Sequence, residues 1–477
     1  MTAIMFGTDG WRGIIAKDFT FQNVALCAQG VANYLRRENI GDRGLVIGWD
    51  TRFGSKEFAL QVAEVIAGNG IRVFWCDRAC PTPVVSYSVL IQRAAGAGII
   101  TASHNPPMWN GFKYKPEYAG SASPEIIAQL EEEIQKVVDG EVNILTIDDA
   151  RVQQLVENID PVSPYVEQVA KIVDLNLITN GGLKIVVDCM YGAGGGYFPS
   201  LLQGGSTRVT EINGDPNPAF PGICQPEPIA SNLRRLSQVV VDQNADVGIA
   251  LDGDGDRLGI VDENGHFVTT LQAFALIALY LLEIKSQRGP LVKSLTSTSM
   301  IDKLGKLYQV PVYETPVGFK YIGPKMIKEQ ALMGGEESGG FGFRDHIPER
   351  DGILSGLLIL ELMVRTGLKP SQLIRHLYDR VGSHYYSRRD VSFTPGERQE
   401  LQDKLDALSK VDIAGWQVNT VDYVDGTRFN FDGGWLVLRF SGTEPLLRLY
   451  AEAETSEKVE ELLDAAQQML GLEGNNV

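Results

Sequence analysis

The sequence predicts an α/β protein of several domains with mixed, largely parallel sheets, followed by a smaller C-terminal α+β unit. Short apolar segments alternate with amphipathic helical segments over most of the chain, which favours parallel sheets covered by helices. After Val391 the pattern changes to short strands flanked by two helical segments. The length of 477 residues suits roughly three domains, give or take one.

The alternation can be followed element by element. It begins with a strand at 44–49 (GLVIGW) and continues through the helix, strand, strand and helix at 57–67, 71–76, 94–100 and 126–137. The cycle restarts with strands at 183–188 and 291–295. An apolar helix around 273–282 is too short to span a bilayer, which takes about 20 residues. Helices at 397–408 and 456–470 flank strands joined by a hairpin signal, Asp432-Gly433-Gly434.

Polar stretches divide the chain into four expected units. They are residues 1–155, 156–265, 266–386 and 387–477. In each of the first three units an apolar strand opens into a glycine-rich polar loop, at Ser103, at Asp252 and at 334–340. Ligands of open parallel sheets lie beyond the carboxyl ends of the strands. We therefore expect three similar domains whose loops face one central cleft.

Composition excludes some classes of partner. The net charge of −17 and the pI near 4.9 argue against nucleic acid and against anionic membrane surfaces. Five scattered cysteines suit reduced thiols, and Cys76 with Cys80 lacks a second pair of ligands for a metal. Residues 1–9 do not resemble a signal peptide. We expect a cytoplasmic protein.

The segment Thr101-Ala-Ser-His-Asn-Pro106 places a serine directly after a buried strand. A serine hydroxyl is a weak nucleophile unless a neighbouring group activates it or it carries a labile group. His104 beside it is more often a structural hydrogen-bonding partner than a base. Ser103 is therefore a candidate for group transfer rather than for hydrolysis.

Asp252, Asp254 and Asp256 alternate along an extended segment, DGDGDR. Alternate residues of such a segment face one side, so three carboxylates can converge on one Mg²⁺. An EF-hand is the competing interpretation, with Glu263 at its twelfth position. Arg257 stands where that loop needs glycine, and the preceding segment is strand-like. A solvated acidic turn is disfavoured because three like charges would lie together without a cation.

Several cations accompany these loops. Arg257 follows the aspartates directly and can bind a phosphate oxygen or balance their charge. Arg12 lies on the glycine-rich loop FGTDGWRG, and Lys113 follows Ser103 by ten residues. Lys113 is a candidate cation or proton carrier. A serine, a carboxylate cluster and nearby cations together indicate phosphoryl chemistry.

Two further loops carry ligand-compatible groups. In 334–340 (GGEESGG) the glycines permit close approach of the backbone, and Glu336, Glu337 and Ser338 suit sugar hydroxyls. The segment RFSGTEP followed by Arg448 combines arginines, hydroxyls and free backbone N–H groups, as an anion cradle requires. A flexible turn and an exposed strand–turn–strand are the plain alternatives.

Together these motifs resemble the α-D-phosphohexomutases over essentially the full length. TASHNP is similar to the phosphoserine loop of that family, DGDGDR to its metal loop, GEESGG to its sugar-binding loop and RFSGTEP to its phosphate-binding loop. FGTDGWRG is similar to its N-terminal signature. The resemblance implies four domains around one cleft, and interconversion of hexose 1-phosphate and hexose 6-phosphate through a 1,6-bisphosphate.

The resemblance also implies roles for individual residues. Ser103 would rest as phosphoserine, and its phosphate would share Mg²⁺ with the three aspartates. Arg257 and Arg12 would neutralise charge, and Lys113 or His104 would assist proton transfer. Sugar binding would fall to Glu336, Ser338, Gly318 and Lys320, and binding of the non-reacting phosphate to Arg439, Ser441, Gly442, Thr443 and Arg448.

Glu337 and the loop ETPVGFK (314–320) are similar to glucose-directed members, whereas Gly340 stands where dual-specificity members often have His. Glucose phosphates are the expected substrate, with glucose 1,6-bisphosphate as activator or phosphoryl donor. Phosphomannomutase activity, a glucose-1,6-bisphosphate synthase and a sugar-phosphate sensor are the alternatives. We expect a monomer or homodimer.

Overall fold

The computed structural model describes residues 4–7, 9–137, 140–408, 412–413, 415–441 and 445–472. Four sheets follow one another along the chain, each with its own helices. The first three sheets are mixed and contain parallel strands, whereas the strands of the fourth pair antiparallel. The predicted fold class is confirmed.

The first sheet has the strand order β1-β5-β4-β2-β3-β6. Strands β4, β2, β3 and β6 run parallel, and β5 is antiparallel to both β4 and β1. Strand β2 is buried along its whole length, as expected for a sheet covered on both faces. The elements are β1 Trp11–Ile14, α1 Phe21–Arg37, β2 Leu45–Trp49, α2 Ser55–Gly68, β3 Val73–Cys76, α3 Thr82–Gln92, β4 Gly96–Ile100, β5 Trp109–Pro116, α4 Pro124–Val137, α5 Ile147–Val152 and β6 Val156–Ile159.

The second sheet has the order β11-β10-β9-β7-β8. Strands β9, β7 and β8 are parallel, and β10 is antiparallel to β9. Its elements are α6 Val162–Ile172, α7 Leu175–Thr179, β7 Lys184–Asp188, α8 Tyr197–Leu201, β8 Arg208–Ile212, α9 Arg234–Asp242, β9 Val247–Leu251, β10 Leu258–Val261 and β11 Phe267–Val268.

The third sheet has the order β13-β12-β14-β15, and β15 is antiparallel to β14. The apolar helix expected at 273–282 starts at Thr270 and ends in a π-helical turn, Tyr280–Ile284. The elements are α10 Thr270–Leu279, β12 Leu291–Ser294, α11 Met300–Tyr308, β13 Val312–Thr315, α12 Phe319–Glu329, β14 Met333–Gly335, β15 Phe341–Phe343, α13 Gly352–Thr366 and α14 Pro370–Val381.

The fourth sheet, β16-β20-β19-β18-β17, packs against two helices over a separate apolar core. The hairpin signal at Asp432-Gly433 lies between β18 and β19, where Gly433 has φ 82°. The elements are β16 Tyr385–Ser392, α15 Arg398–Leu408, β17 Thr420–Asp422, β18 Thr427–Phe431, β19 Gly434–Phe440, β20 Leu446–Ala453 and α16 Ser456–Leu470.

One connection recurs in the first three sheets. A buried strand is followed by an antiparallel partner in β4–β5, in β9–β10 and in β14–β15. The loops that join these pairs are residues 101–108, 252–257 and 336–340, named here the serine loop, the aspartate loop and the glutamate loop. The three motifs singled out in the sequence therefore occupy the same place in three sheets.

Three strands do not follow the expected limits of the units. Strand β6 pairs with β3 although the first unit was expected to end at 155, and β11 pairs with β10 beyond 265. Strand β16 begins at Tyr385, before 387. These segments are short or polar, so apolar patterning gives little signal for them. The division of the chain itself stays a prediction.

Within the described residues, none of the helices has the length and apolar character needed to cross a membrane.

Candidate active site

The serine loop holds Ser103 in an uncommon backbone conformation. Its φ is 51°, in the left-handed region that non-glycine residues seldom adopt. The backbone N–H of Ser103 donates to the Thr101 hydroxyl at 2.8 Å, which stabilises the turn. Ser103 is buried, and its Oγ donates to Asp252 Oδ2 at 2.9 Å. The hydroxyl therefore points at the aspartate loop.

The buried guanidinium of Arg52 holds the serine loop by hydrogen bonds to its backbone. Arg52 donates to the carbonyl oxygens of Ser103 and Asn105, both at 2.6 Å, and to two further carbonyls of the same segment, those of Pro106 and Trp109. Asp50, at the end of β2, lies 3.4 Å from its Nε. Because Arg donors are rigidly placed, these bonds fix the course of the loop.

The three aspartates converge as predicted. One oxygen of each lies within 4.8 Å of the others, and all three side chains are fully buried. Asp252 Oδ1 accepts the backbone N–H groups of Asp256 and Arg257 at 2.9 and 3.0 Å, which closes the loop on itself. Burial and the two neighbouring carboxylates raise the pKa of Asp252 well above its usual value.

The donor set fits a hard divalent cation. Asp254 Oδ1 and Asp256 Oδ1 are buried without a hydrogen-bond partner among the described residues. Buried carboxylate oxygens are costly unless they are paired or coordinate a metal. Three carboxylates converging with orphaned oxygens are the ligands that Mg²⁺ takes, with positions left for other oxygens.

Lys113 lies against this cluster. Its Nζ is 2.8 Å from Asp254 Oδ2, 3.3 Å from Asp256 Oδ2 and 2.8 Å from Asp9 Oδ2. Burial lowers the pKa of Lys113, but the three carboxylates outweigh burial and raise the pKa well above its usual value. The lysine is thus placed as a cation between three carboxylates, and the proton-carrier role considered for it stays a prediction.

His104 and Arg12 border the serine hydroxyl. His104 Nδ1 lies 3.4 Å from Ser103 Oγ, and Arg12 donates to Asn105 Oδ1. Burial, and then the charges of Arg257 and Arg12, hold the pKa of His104 well below its usual value. The imidazole is therefore neutral at physiological pH.

Arg257 is buried and pairs with Glu227, whose Oε1 lies 2.8 Å from its Nη1. Its Nε has no hydrogen-bond partner among the described residues. An unpaired, buried N–H close to the aspartates in the chain can donate a hydrogen bond to an oxyanion. The sequence pattern predicted this cation, but not the glutamate that restrains it.

The glutamate loop contributes a further buried carboxylate. Glu336 is 6% exposed, and burial raises its pKa to about 7. Its Oε2 lies 3.9 Å from Arg350 Nη1, a weak ion pair. Glu337 accepts the Tyr386 hydroxyl at 2.8 Å, so it ties this loop to the fourth domain. Ser338, the residue after Glu337, is half-buried in the same turn.

Asp425 joins the predicted sugar loop to Arg439 of the predicted phosphate cradle. Its carboxylate is 2.9 Å from Arg439 Nε and accepts the backbone N–H of Val317, beside Gly318, at 3.0 Å. Lys320 Nζ donates to the Gly7 carbonyl at 3.3 Å. The predicted sugar loop and the predicted phosphate cradle are therefore adjacent, across the boundary of the third and fourth domains.

The other members of the cradle are only partly described. Ser441 is buried, and Arg448 Nε lies 3.6 Å from Asp390 Oδ2. Gly442 and Thr443 lie outside the described residues, so their predicted roles stay predictions. Residues 439–441 and 445–448 are named here the arginine segment.

Sequence patterns missed several charged residues of the site. They are Asp9, Arg52, Lys115, Glu349 and Arg350, all buried. Arg350 Nη2 lies 2.9 Å from Asp256 Oδ2 and also donates to Asp9. A charged run, PERDG, directly before an apolar helix is the signal that could have indicated Glu349 and Arg350.

Comparison with known proteins covers nearly the whole chain. The phosphoglucomutase/phosphomannomutase family descriptions match domain I at 3–140, domain II at 163–265, domain III at 271–381 and the C-terminal domain at 397–468. A phosphoglucomutase/phosphomannomutase from Thermococcus kodakarensis is 31% identical, and the match covers 98% of each chain.

Two further proteins are similar to this chain over most of its length. A phosphoglucosamine/phosphogalactosamine mutase from Sulfurisphaera tokodaii is 30% identical, with 94% of this chain and 95% of the relative covered. A crystal structure from Thermus thermophilus, described as a phosphomannomutase, is 32% identical with a TM-score of 0.86, covering 98% of this chain and 99% of that one. The chain therefore belongs to the phosphoglucomutase/phosphomannomutase family of the α-D-phosphohexomutases, which are intramolecular phosphotransferases.

Proposed function

We propose that this enzyme interconverts glucose 1-phosphate and glucose 6-phosphate through a phosphoserine at Ser103 and a 1,6-bisphosphate intermediate. One observation carries the proposal. Ser103 Oγ lies 2.9 Å from Asp252 in a carboxylate cluster whose Asp254 and Asp256 oxygens lack hydrogen-bond partners among the described residues. A serine phosphate would therefore lie beside the cation that this cluster suits.

The chemistry needs alignment and neutralisation of charge more than activation of the serine. Mg²⁺ held by Asp252, Asp254 and Asp256 would offset negative charge on the transferring phosphoryl group. Lys113 lies 2.8 Å from Asp254, and Arg257, whose guanidinium pairs with Glu227, follows the aspartates directly in the chain. Because these charges are buried and already oriented, they need little reorganisation during the reaction.

In the proposed transfer the bond from phosphorus to Ser103 Oγ breaks and a bond to a sugar hydroxyl oxygen forms. The sugar hydroxyl proton leaves to a base while the departing Ser103 Oγ takes up a proton. His104 is the candidate to exchange that proton because its Nδ1 lies 3.4 Å from the serine oxygen. The second half-reaction moves the other phosphoryl group of the bisphosphate back to Ser103. The sugar phosphate leaves with its phosphate on the opposite carbon.

The sugar end of the site favours a neutral hexose in this proposal. Arg350 already lies 3.9 Å from Glu336, so the carboxylate has a cationic neighbour before any ligand binds. An amino sugar would bring an ammonium group close to that guanidinium, and like charges repel. With a pKa of about 7, Glu336 can exchange hydrogen bonds with neutral hydroxyls.

The test offers purified enzyme and Mg²⁺ the 1-phosphates of glucose, mannose and glucosamine, each with and without glucose 1,6-bisphosphate, and resolves the products. We expect the glucose pair to have the highest kcat/KM and Ser103→Ala to lose turnover. Absence of isomerisation with every substrate would refute mutase activity. Net accumulation of the bisphosphate would instead indicate a synthase, and preference for the mannose or glucosamine phosphate would overturn the assignment of the sugar.

A further inference from the structure

Asp9 lies at the centre of a buried set of cations. Its Oδ1 is 2.8 Å from Lys115 Nζ, and its Oδ2 is 2.8 Å from Lys113 Nζ and also accepts from Arg350 Nη2. The Asp9 side chain is 6% exposed. Burial raises its pKa, but the three cations outweigh burial and hold it well below its usual value. One carboxylate thus serves three cations.

Local structure explains how Asp9 reaches both lysines. Lys113 and Lys115 are alternate residues of β5, so their side chains leave the same face of the strand. The next residue after Asp9, Gly10, has φ 90°, and a Cβ there would lie 2.5 Å from the Phe112 carbonyl oxygen. Glycine therefore lets the N-terminal loop lie directly on β5.

Two of these cations also contact the aspartate loop. Lys113 lies against Asp254 and Asp256, and Arg350 lies 2.9 Å from Asp256. A divalent ion on the unpartnered Oδ1 atoms of Asp254 and Asp256 would repel both cations and weaken their pairing with the Oδ2 atoms that they contact. A buried charge that loses its partner is strongly destabilised. The two cations therefore need a negative group outside the metal site. Glu349 also pairs with Arg350, at 3.2 Å from its Nε, but among the described residues only Asp9 lies outside the aspartate loop and pairs with both cations.

We infer that Asp9 is this group: a positioning residue that holds Lys113 and Arg350 beside the aspartate loop when a divalent cation occupies it. The inference rests on the proposed function, since it assumes that the aspartates bind a metal. In the described structure Asp9 pairs with Lys113, Lys115 and Arg350 and not with the three aspartates or the serine hydroxyl. Its effect on binding is transmitted through the two cations.

The experiment measures binding of Mn²⁺ to the full-length enzyme by electron paramagnetic resonance, without substrate or turnover. Asp9→Asn keeps the shape of the side chain and removes its charge. We expect this variant to bind Mn²⁺ at least about tenfold more weakly, the range typical of groups that support metal ligands. Glu349→Gln is the matched control, because Glu349 is buried and accepts from Lys115 and Arg350 but pairs with neither Lys113 nor an aspartate in the described structure. It should cause a clearly smaller loss.

A second variant separates metal binding from folding. Asp9→Asn combined with Lys115→Met restores the net charge of the cluster, so it should recover thermal stability while Mn²⁺ binding stays weak. Recovery of Mn²⁺ affinity in the double variant would overturn the inference, as would unchanged affinity in Asp9→Asn or an equal loss in Glu349→Gln. Failure of the wild-type enzyme to bind Mn²⁺ would refute the proposed metal site and this inference together.

Discussion

The aspartate loop and the arginine segment both carry charge for the proposed substrate, but they differ in burial and in partners. The carboxylates of the aspartate loop are fully buried, and backbone N–H groups close the loop on Asp252. In the arginine segment, the side chains of Arg439 and Arg448 are 14% and 24% exposed, and they lie near Asp425 and Asp390 respectively. The first region is fixed before a ligand arrives, whereas the second can exchange an aspartate for a phosphate. Rate should depend on the first and affinity on the second.

Asp254→Asn is expected to give the largest effect. It removes a negative charge that would face both the proposed metal ion and Lys113. The ammonium group of Lys113 then lies 2.8 Å from a neutral amide. Loss of one preorganised electrostatic group lowers kcat by about 10²–10³-fold. Steady-state kinetics at saturating Mg²⁺ and sugar phosphate would measure this. A variant that keeps wild-type kcat would contradict the importance assigned to the aspartate loop.

Arg439→Gln should act on binding rather than on rate. A hydrogen bond to a charged group contributes about 1.5–3 kcal/mol, which corresponds to a rise in KM of roughly 10- to 150-fold. The value of kcat should change little, because Arg439 pairs with Asp425 rather than with the aspartate loop. An equal fall of kcat with unchanged KM would show that the arginine segment acts on the reacting groups.

Glu336→Gln tests the glutamate loop through the pH dependence of kcat/KM. With the pKa of Glu336 at about 7, kcat/KM should decrease as pH falls through 7, since the protonated carboxyl loses its charge as an acceptor. The Gln variant should lack this change and keep only the titration of the substrate phosphate near pH 6.

The same carboxyl affects stability with a defined sign. Burial raises the folded-state pKa above that of the unfolded chain, so stability is lost as pH rises through 7. Glu336→Gln should therefore raise Tm more at pH 8 than at pH 5. Identical pH profiles of both Tm and kcat/KM for the two proteins would contradict the shifted pKa.

Salt should produce the smallest effect. Charges with access to solvent are screened, whereas fully buried pairs are screened much less. Raising ionic strength from 0.05 to 0.3 M, about a 2.4-fold shortening of the screening length, should increase KM severalfold and leave kcat nearly constant. A kcat that falls as steeply as KM rises would remove the distinction between the two regions.

The two regions also differ in how far sequence could predict them. The aspartate loop and the serine loop follow buried strands directly, so apolar patterning and residue type were sufficient to identify them. Asp9 and Arg350 are 341 residues apart, and their ion pair depends on how the third domain packs against the first. No local sequence pattern indicates that these two residues form an ion pair.

Arg52 illustrates the same limit within one domain. It follows a buried strand, as the motif residues do, but its four carbonyl partners lie about 50 residues later, in the serine loop and at the first residue of β5. Sequence patterns indicate which side chains carry chemistry. They do not show which buried charges hold those side chains in place, because that depends on the packing between elements.

The aspartate loop lies between two other loops in backbone contact. A Cβ on Gly253 would lie 2.4 Å from the Ser103 carbonyl oxygen, and a Cβ on Gly192 would lie 2.6 Å from the carbonyl oxygen of Gly253. Ala193 N–H also donates to that oxygen at 2.9 Å. Loops stacked this closely cannot open one at a time. Their amides should exchange with deuterium as one cooperative unit, at a rate governed by separation of the first and second domains.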